Sequence, residues 1–472
     1  MNAYRAWAEI DLDALTTNLA VIRQRAGLSA RVMLVVKADA YGHGAVPIAH
    51  HAVRCGVAGF GVGSSAEALE LRKAGIRLPI LVLGTIIDDE ADECLRNDVH
   101  VALHSTARRA MLQKLAAEMS LTAKVHVNID TGMGRLGVLP AKALELLREV
   151  KASPNLELCG IMTHISAPDG AMAASTTDQQ RLFEGVLREA RAHGLQRGWI
   201  HMANSAALFT SLKPRYDTVR PGISAYGILP HDLRGSDELR PVLSLHSQVV
   251  FLKDIPAGYA VGYGSTWKSE RPTRIATLPV GYNDGVAWRL GNKGEVLVRG
   301  VRARIVGRVS MDYTTVDVGH IRGVEVGDVV TLIGSDGAQT ITAEEVAAKA
   351  DTIAYEITCS VGKRVARVPR GGNDSPVGDP HGLASPRGDA HSVGLVSYSL
   401  PRNPSPRLPS QLDESLRTDA PRADRASVEA SDDGAQRTSP RDELRPFDAR
   451  SDTSVPEPAP ALGGDRAPRV GN

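Results

Sequence analysis

Eight short apolar segments, rich in β-branched residues, recur between Val32 and Gly227: 32–36, 59–64, 79–85, 99–103, 124–130, 156–166, 199–205 and 218–227. Most are followed by a stretch with helical spacing, as at 66–75, 107–119, 140–151 and 178–193. Strands that alternate with helices run parallel, because the crossover must return the chain to the end it left. Eight such units in about 200 residues fit a (β/α)8 barrel of TIM type. An open doubly wound sheet is the competing arrangement. It is disfavoured because no G-x-G-x-x-G opens the first strand–helix turn.

The flanking segments read differently. Residues 6–12 form an alternating strand, expected to join a later sheet. Asp13 is placed to cap a helix over 14–26, where Leu15, Leu19 and Ile22 share a face. Another helical stretch covers 50–54. Beyond Leu229, short strands recur at 247–252, 274–280, 294–300, 302–309 and 329–334. They are followed by a helix over 342–350 and a last element over 354–361. This part is a predominantly β domain. From about residue 370 the chain is rich in Pro, Ser, Asp, Arg and Gly, with no lysine or cysteine. Such a segment buries too little apolar surface to offset ordering entropy, so a disordered tail is expected. The scheme is a strand over 1–12, a barrel over 13–230, a β domain over 231–369 and a tail over 370–472.

Composition excludes some functions. A formal net charge of +1 gives no field for nucleic acid. No apolar run is long enough for a membrane, and the N-terminus lacks the basic and apolar regions of a secretory signal. Cys55, Cys94, Cys159 and Cys359 have no metal or redox spacing. A cytoplasmic protein with no metal, membrane or nucleic-acid partner is expected.

In a barrel, chemistry sits at the C-terminal strand ends. The expected ends carry Lys37 and Tyr41, Arg135, His164, His201 with Asn204 and Ser205, and Arg220 with Gly222. Lys37 ends an apolar strand. Burial would lower its pKa and supply the free amine that a Schiff base needs, whereas a head that escapes to solvent is the plain alternative. Backbone N–H groups near Ser205 and Gly222–Ile223, with Tyr41 and a second tyrosine, could hold a phosphate. A reactive lysine beside a phosphate seat points to pyridoxal 5′-phosphate. An imine-forming aldolase on a barrel would look similar.

The motifs VVKADAYGHG, DTGMGRLG, MTH, HMANSAA, RPGISAYG, GYGSTW, LPVGYNDG and VGRVSMD occur in this order. Together they resemble the bacterial alanine racemases over residues 4 to about 369. The resemblance implies a homodimer that uses pyridoxal 5′-phosphate to interconvert L-alanine and D-alanine for peptidoglycan. It implies Lys37 as the cofactor-holding residue and base on the D-alanine face, and Tyr263, from the partner chain, as base on the L-alanine face. Tyr41, Asn204, Ser205, Gly222, Ile223 and Tyr355 would hold the cofactor with Arg220, which faces the pyridine nitrogen, and with His164 near Tyr263. His201 would stand behind Arg220. Arg135 and the Met311 backbone would meet the substrate carboxylate, and Tyr282 and Asp312 would line the entry. Arginine cannot accept a proton, so Arg220 would keep the pyridine nitrogen unprotonated.

Three features depart from the family pattern. Asn128 stands where many members carry a carbamylated lysine that braces the arginine, MTHISAPDG diverges after MTH, and the tail lies outside the pattern. Asn128 keeps a broad-specificity amino-acid racemase of the same fold as an alternative. A decarboxylase on this barrel would pair the pyridine nitrogen with an acid, which Arg220 opposes. A non-catalytic pyridoxal-phosphate carrier would lack the β domain and Tyr263.

Overall fold

The computed structural model describes residues 4–27, 29–166, 173–210, 216–229, 233 and 238–372. The expected tail therefore lies outside the described residues. Eight parallel strands close into a barrel in chain order. After β1 (Ala6–Asp11) these are β2 (Arg31–Val35), β3 (Gly59–Val62), β4 (Ile80–Val82), β5 (His100–Leu103), β6 (Ala123–Asn128), β7 (Leu156–Met162), β8 (Trp199–Asn204) and β9 (Thr218–Arg220). Closure is made by β2 on β9, with Arg31 opposite Thr218 and Val32 opposite Val219. Val32 and Leu34 pack outward into the large core beneath the helices, while Met33 joins Leu81, Ala102 and Met162 in a separate small cluster. Successive strand residues point to opposite faces, so this second set fills the barrel interior.

Helix starts follow local capping chemistry. The Ser64 and Ser105 hydroxyls accept from the N–H of Glu67 and Arg108, each three residues on. At the first helix, Leu12–Ala26, the cap is Asp11, which accepts from Ala14 N at 2.9 Å. The expected cap, Asp13, instead accepts from Gly372 N. The helix Asp88–Arg96 is an element the sequence reading did not assign.

The remaining strands are β10 (Leu243–Gln248), β11 (Phe251–Ile255), β12 (Ala260–Val261), β13 (Trp267–Lys268), β14 (Thr273–Leu278), β15 (Glu295–Val298), β16 (Val301–Ile305), β17 (Thr314–Asp317), β18 (Val329–Asp336), β19 (Gln339–Ile341) and β20 (Ala366–Arg370). They form one sheet in the order β11-β14-β17-β16-β15-β18-β10-β1-β20, with β19 on β18 and a separate β12–β13 pair. β1 lies antiparallel to β10 and parallel to β20, so both ends of the described chain are in this sheet. The single strand expected over 247–252 is in fact two. Val249 N donates to Asp328 O, beside β18, and Val250 N donates to Thr277 O on β14. The backbone changes partner between two valines of identical propensity, so local pattern carries no trace of the break.

Candidate active site

Beyond β2 the chain makes a left-handed turn. Ala38, Asp39, Ala40 and Tyr41 have φ of 53, 54, 52 and 55°. Each such residue costs about 1–2 kcal/mol, so the surroundings must hold the turn. Glu67 accepts from Ala38 N and Gly63 N, both at 2.7 Å, and Asp39 accepts from Ala45 N at 2.7 Å. His43, fully buried, faces Ala40 O and Tyr41 O through Nδ1, each at 2.9 Å. That nitrogen must carry the proton, and burial pulls the imidazole pKa down to about 4. A Cβ on Gly42 would lie 1.9 Å from Thr358 O, so only glycine lets the turn seat against the helix Ala354–Cys359. The Arg367 guanidinium donates to Gly42 O from the other side.

This turn presents Lys37 at the barrel's C-terminal mouth. Its side chain is exposed there rather than buried as a strand-end lysine was expected to be, because β2 stops two residues earlier. A cavity of 370 Å³ opens at this mouth. Its wall brings together ten of the sequence-selected residues: Lys37, Tyr41, Arg135, His164, Asn204, Ser205, Arg220, Gly222, Ile223 and Tyr355. Asn128 lines it too, its amide donating to Leu136 O at 3.2 Å. No aspartate or glutamate is among the described lining residues.

At one end, Ser205 Oγ accepts from Gly222 N at 2.8 Å and Ser224 N at 3.2 Å. Tyr41 is buried against Tyr226 and Tyr355, which pushes its phenol pKa well up and leaves the hydroxyl a donor. A Cβ on Gly222 would stand 2.5 Å from Tyr41 Oη, so the missing side chain makes room for that hydroxyl. Asn204 caps the short helix Ser205–Phe209 by accepting from Ala207 N.

At the other end lies Arg220, buried with no carboxylate among its described partners. It donates to His201 Nδ1 at 2.7 Å, Thr163 O at 2.8 Å, His164 Nδ1 at 3.2 Å and Met202 O at 3.3 Å. Burial lowers its pKa to about 10, still cationic at neutral pH. Burial also drives His164 down to about 3, helped by the charges of Arg220, Arg135 and Lys37.

Tyr263, Tyr282, Met311 and Asp312 are not on this chain's cavity wall. They lie on the β domain, where Tyr263 is 74% exposed, Tyr282 45% and Met311 53%, and Asp312 pairs with Arg364 at 2.7 Å. Two glycines seat the segments that carry Tyr263 and Tyr282 against the stretch from Arg308 to Met311. Gly262 backs onto Arg308 N, and Gly281 onto Ser310 O and Met311 O, with no space for a Cβ at the second.

Sequence reasoning missed Glu67 and His43, which hold the Lys37 turn, Thr163 on the cavity wall, and His126, whose Nδ1 lies 2.9 Å from His201 Nε2 behind Arg220. Strand alternation could have found His126, which shares its face of β6 with Asn128. Nothing in the sequence pairs Glu67 with a backbone N–H 29 residues away. Among the described residues no group of three histidine, cysteine, aspartate or glutamate side chains is placed to hold a metal, and no helix is long and apolar enough to cross a membrane.

Comparison with known proteins agrees with this arrangement. The family model "Alanine racemase, N-terminal domain" matches residues 10–230, and "Alanine racemase, C-terminal domain" matches residues 242–369. The alanine racemase of Halothermothrix orenii is 41% identical over 362 residues, covering 76% of this chain and 96% of the relative. The crystal structure of alanine racemase from D-cycloserine-producing Streptomyces lavendulae superposes with a TM-score of 0.74 at 35% identity, covering 79% of this chain and 98% of the other. That of Bartonella henselae, with covalently bound pyridoxal phosphate, gives 0.70 at 30% identity, covering 78% and 99%. With a closed barrel, a β domain and two family models spanning nearly all the described residues, the chain belongs to the alanine racemase family.

Proposed function

We propose that this chain interconverts L-alanine and D-alanine with pyridoxal 5′-phosphate held by Lys37, and that the D-alanine serves peptidoglycan synthesis. The observation that carries the reading is the cavity wall itself, which offers Lys37, Arg135, His164 and Arg220 and, among its described residues, no acidic side chain. The donor set fits the cofactor: an amine for its aldehyde, hydroxyls of Ser205 and Tyr41 for its phosphate with the Ile223 N–H and the Gly222 N–H that otherwise donates to Ser205 Oγ, and a donor-only guanidinium for its ring nitrogen. Asn204 and Tyr355 border the phosphate end. The Bartonella henselae relative, with its covalently bound pyridoxal phosphate, supports the same assignment. When bound, the cofactor supplies an electron sink that acidifies the substrate Cα–H.

The chain's own residues do the rest. Lys37 takes or returns the proton on one face of Cα. Tyr263 of the partner subunit does so on the other, which accounts for a tyrosine exposed on the β domain and absent from its own chain's cavity. Arg135 grips the substrate carboxylate with the partner subunit's Met311 backbone, and the partner's Tyr282 and Asp312 border the entry. His164, 3.2 Å from Arg220, lies near Tyr263 of the partner subunit. The protein works as a cytoplasmic homodimer.

The test is a pair of variants. Lys37→Ala should lose the visible absorbance of enzyme-held cofactor together with racemisation, and turnover by this variant would refute the assignment. Tyr263→Phe should slow α-proton exchange from L-alanine about 10²–10⁴-fold more than from D-alanine. Mixing the two inactive proteins should restore activity, because one hybrid site then holds both bases.

A further inference from the structure

The barrel interior holds three imidazoles in a row. From Arg220, at the end of β9, the row passes to His201 on β8, to His126 on β6 and to His100 at the start of β5. Arg220 Nη1 is 2.7 Å from His201 Nδ1, His201 Nε2 is 2.9 Å from His126 Nδ1, and His126 Nε2 is 3.1 Å from His100 Nδ1. The row thus runs from the mouth of the barrel to the opposite end of its strands. The rings are 0, 1 and 8% exposed. Barrel interiors are usually filled by branched apolar side chains, so three linked histidines here call for a reason.

The hydrogen-bond logic allows one arrangement. A guanidinium only donates, so His201 Nδ1 must accept and its proton must sit on Nε2. That N–H donates to His126 Nδ1, which puts the next proton on Nε2, and the same step fixes His100. Every ring is neutral, and every ring turns its acceptor side towards Arg220. The aligned dipoles stabilise a buried cation that has no carboxylate beside it. Burial lowers the pKa of all three rings, with His100 at about 4, as neutrality requires. The backbone is built around the middle ring. A Cβ on Gly160 would come within 2.3 Å of His126 Nδ1 and 2.8 Å of its Cε1.

We propose that His100, His126 and His201 form one tautomer-locked chain that holds the Arg220 guanidinium in a single orientation at the cavity, with His126 and His100 acting as positioning residues through His201. The proposal rests on the racemase reading only for what Arg220 faces; the chain itself is a property of the barrel.

Two measurements on the full-length enzyme test it. Long-range proton–nitrogen NMR of histidine-labelled protein at neutral pH, assigned with single histidine variants, should show Nε2–H and bare Nδ1 at all three positions. An Nδ1–H tautomer or an imidazolium at any of them overturns the proposal. The second measurement compares His126→Asn with His126→Leu. Asparagine keeps an acceptor where Nδ1 stood, whereas leucine fills the space and offers none. Positioning through His201 predicts that leucine lowers kcat roughly tenfold or more with KM little changed, and that asparagine recovers most of the loss. A folded leucine variant with kcat equal to or above that of the asparagine variant shows that the ring merely fills space, and overturns the proposal. A wild-type enzyme inactive on alanine would refute the racemase reading, leaving the tautomers to decide the chain.

Discussion

Acid should unfold this protein through its histidines before its carboxylates. His43, His100, His126 and His201 are at most 8% exposed and are held neutral by burial, at about 4 for His43 and His100 and well below the ordinary range for the other two. In the unfolded chain each titrates near ~6.5. Below that pH the unfolded state binds more protons than the folded one, so stability rises with pH. The contribution is fully present above the unfolded value and is lost as pH falls from there towards the folded values. Between pH 7 and pH 5 the linkage costs nearly 2 kcal/mol per ring, or about 7 kcal/mol for the four. That matches the whole stability of an ordinary domain, about 5–15 kcal/mol. The assay is urea unfolding at pH 7, 6 and 5, with proton uptake measured in weak buffer near pH 5.5, where at least about three protons should be taken up per chain. An uptake of one proton or fewer, or a stability that is level across this range, would show that these rings are not held neutral and would refute the reasoning.

Other outcomes are expected from the site. Glu67→Ala removes the acceptor of two backbone N–H groups at the Lys37 turn and should cost about 2 kcal/mol or more, read as a lower Tm and faster amide exchange at Ala38; unchanged exchange there would show that the turn holds itself. Arg135 shares the cavity wall with neutral Asn128 and no described acidic residue, so a small bound anion should brace it. Substrate KM should then differ between chloride and gluconate buffers of equal ionic strength, and identical kinetics would exclude such an anion. A chain ending at Gly372, the last described residue, whose N–H donates to Asp13 of the first helix, should keep its Tm and its racemase activity, and a large fall in Tm would show that residues 373–472 pack on the rest.

The barrel was legible because its strands are buried on both faces and read as short continuous apolar runs, three of them followed by a helix capped at Ser64, Ser105 or Asn204. Elements that depend on distant partners were not legible. β20 carries Arg367, Pro369 and Arg370, a poor strand by composition, and exists because it lies along β1, about 360 residues away in sequence. The helix Asp88–Arg96 carries charges at six of nine positions, and only Ala91, Cys94 and Leu95 are buried, too thin an apolar stripe to stand out. Nor could pattern place the break between Val249 and Val250, where the two residues bond to different neighbouring strands.

The site divides along the same line. Lys37, Ser205 and Arg220 were found because strand ends in a barrel converge on one mouth, so chemistry-bearing residues there can be listed before their distances are known. The parts that hold them were hidden because each is a backbone or interior contact. Four consecutive left-handed residues, only one of them next to a glycine, are not what ADAY suggests, since alanine and tyrosine disfavour that region. The turn becomes intelligible only with its partners in view: Glu67 drawing in Ala38 N, His43 tying two carbonyls, and Gly42 seated against Thr358. Arg220 is the same case on a larger scale. A buried guanidinium with no acidic neighbour looks unstable in sequence, and what steadies it comes from β5, β6 and β8 together with two backbone carbonyls. Its place in this cavity follows from the barrel interior being partly polar, and that could be known only once the strands had been closed around it.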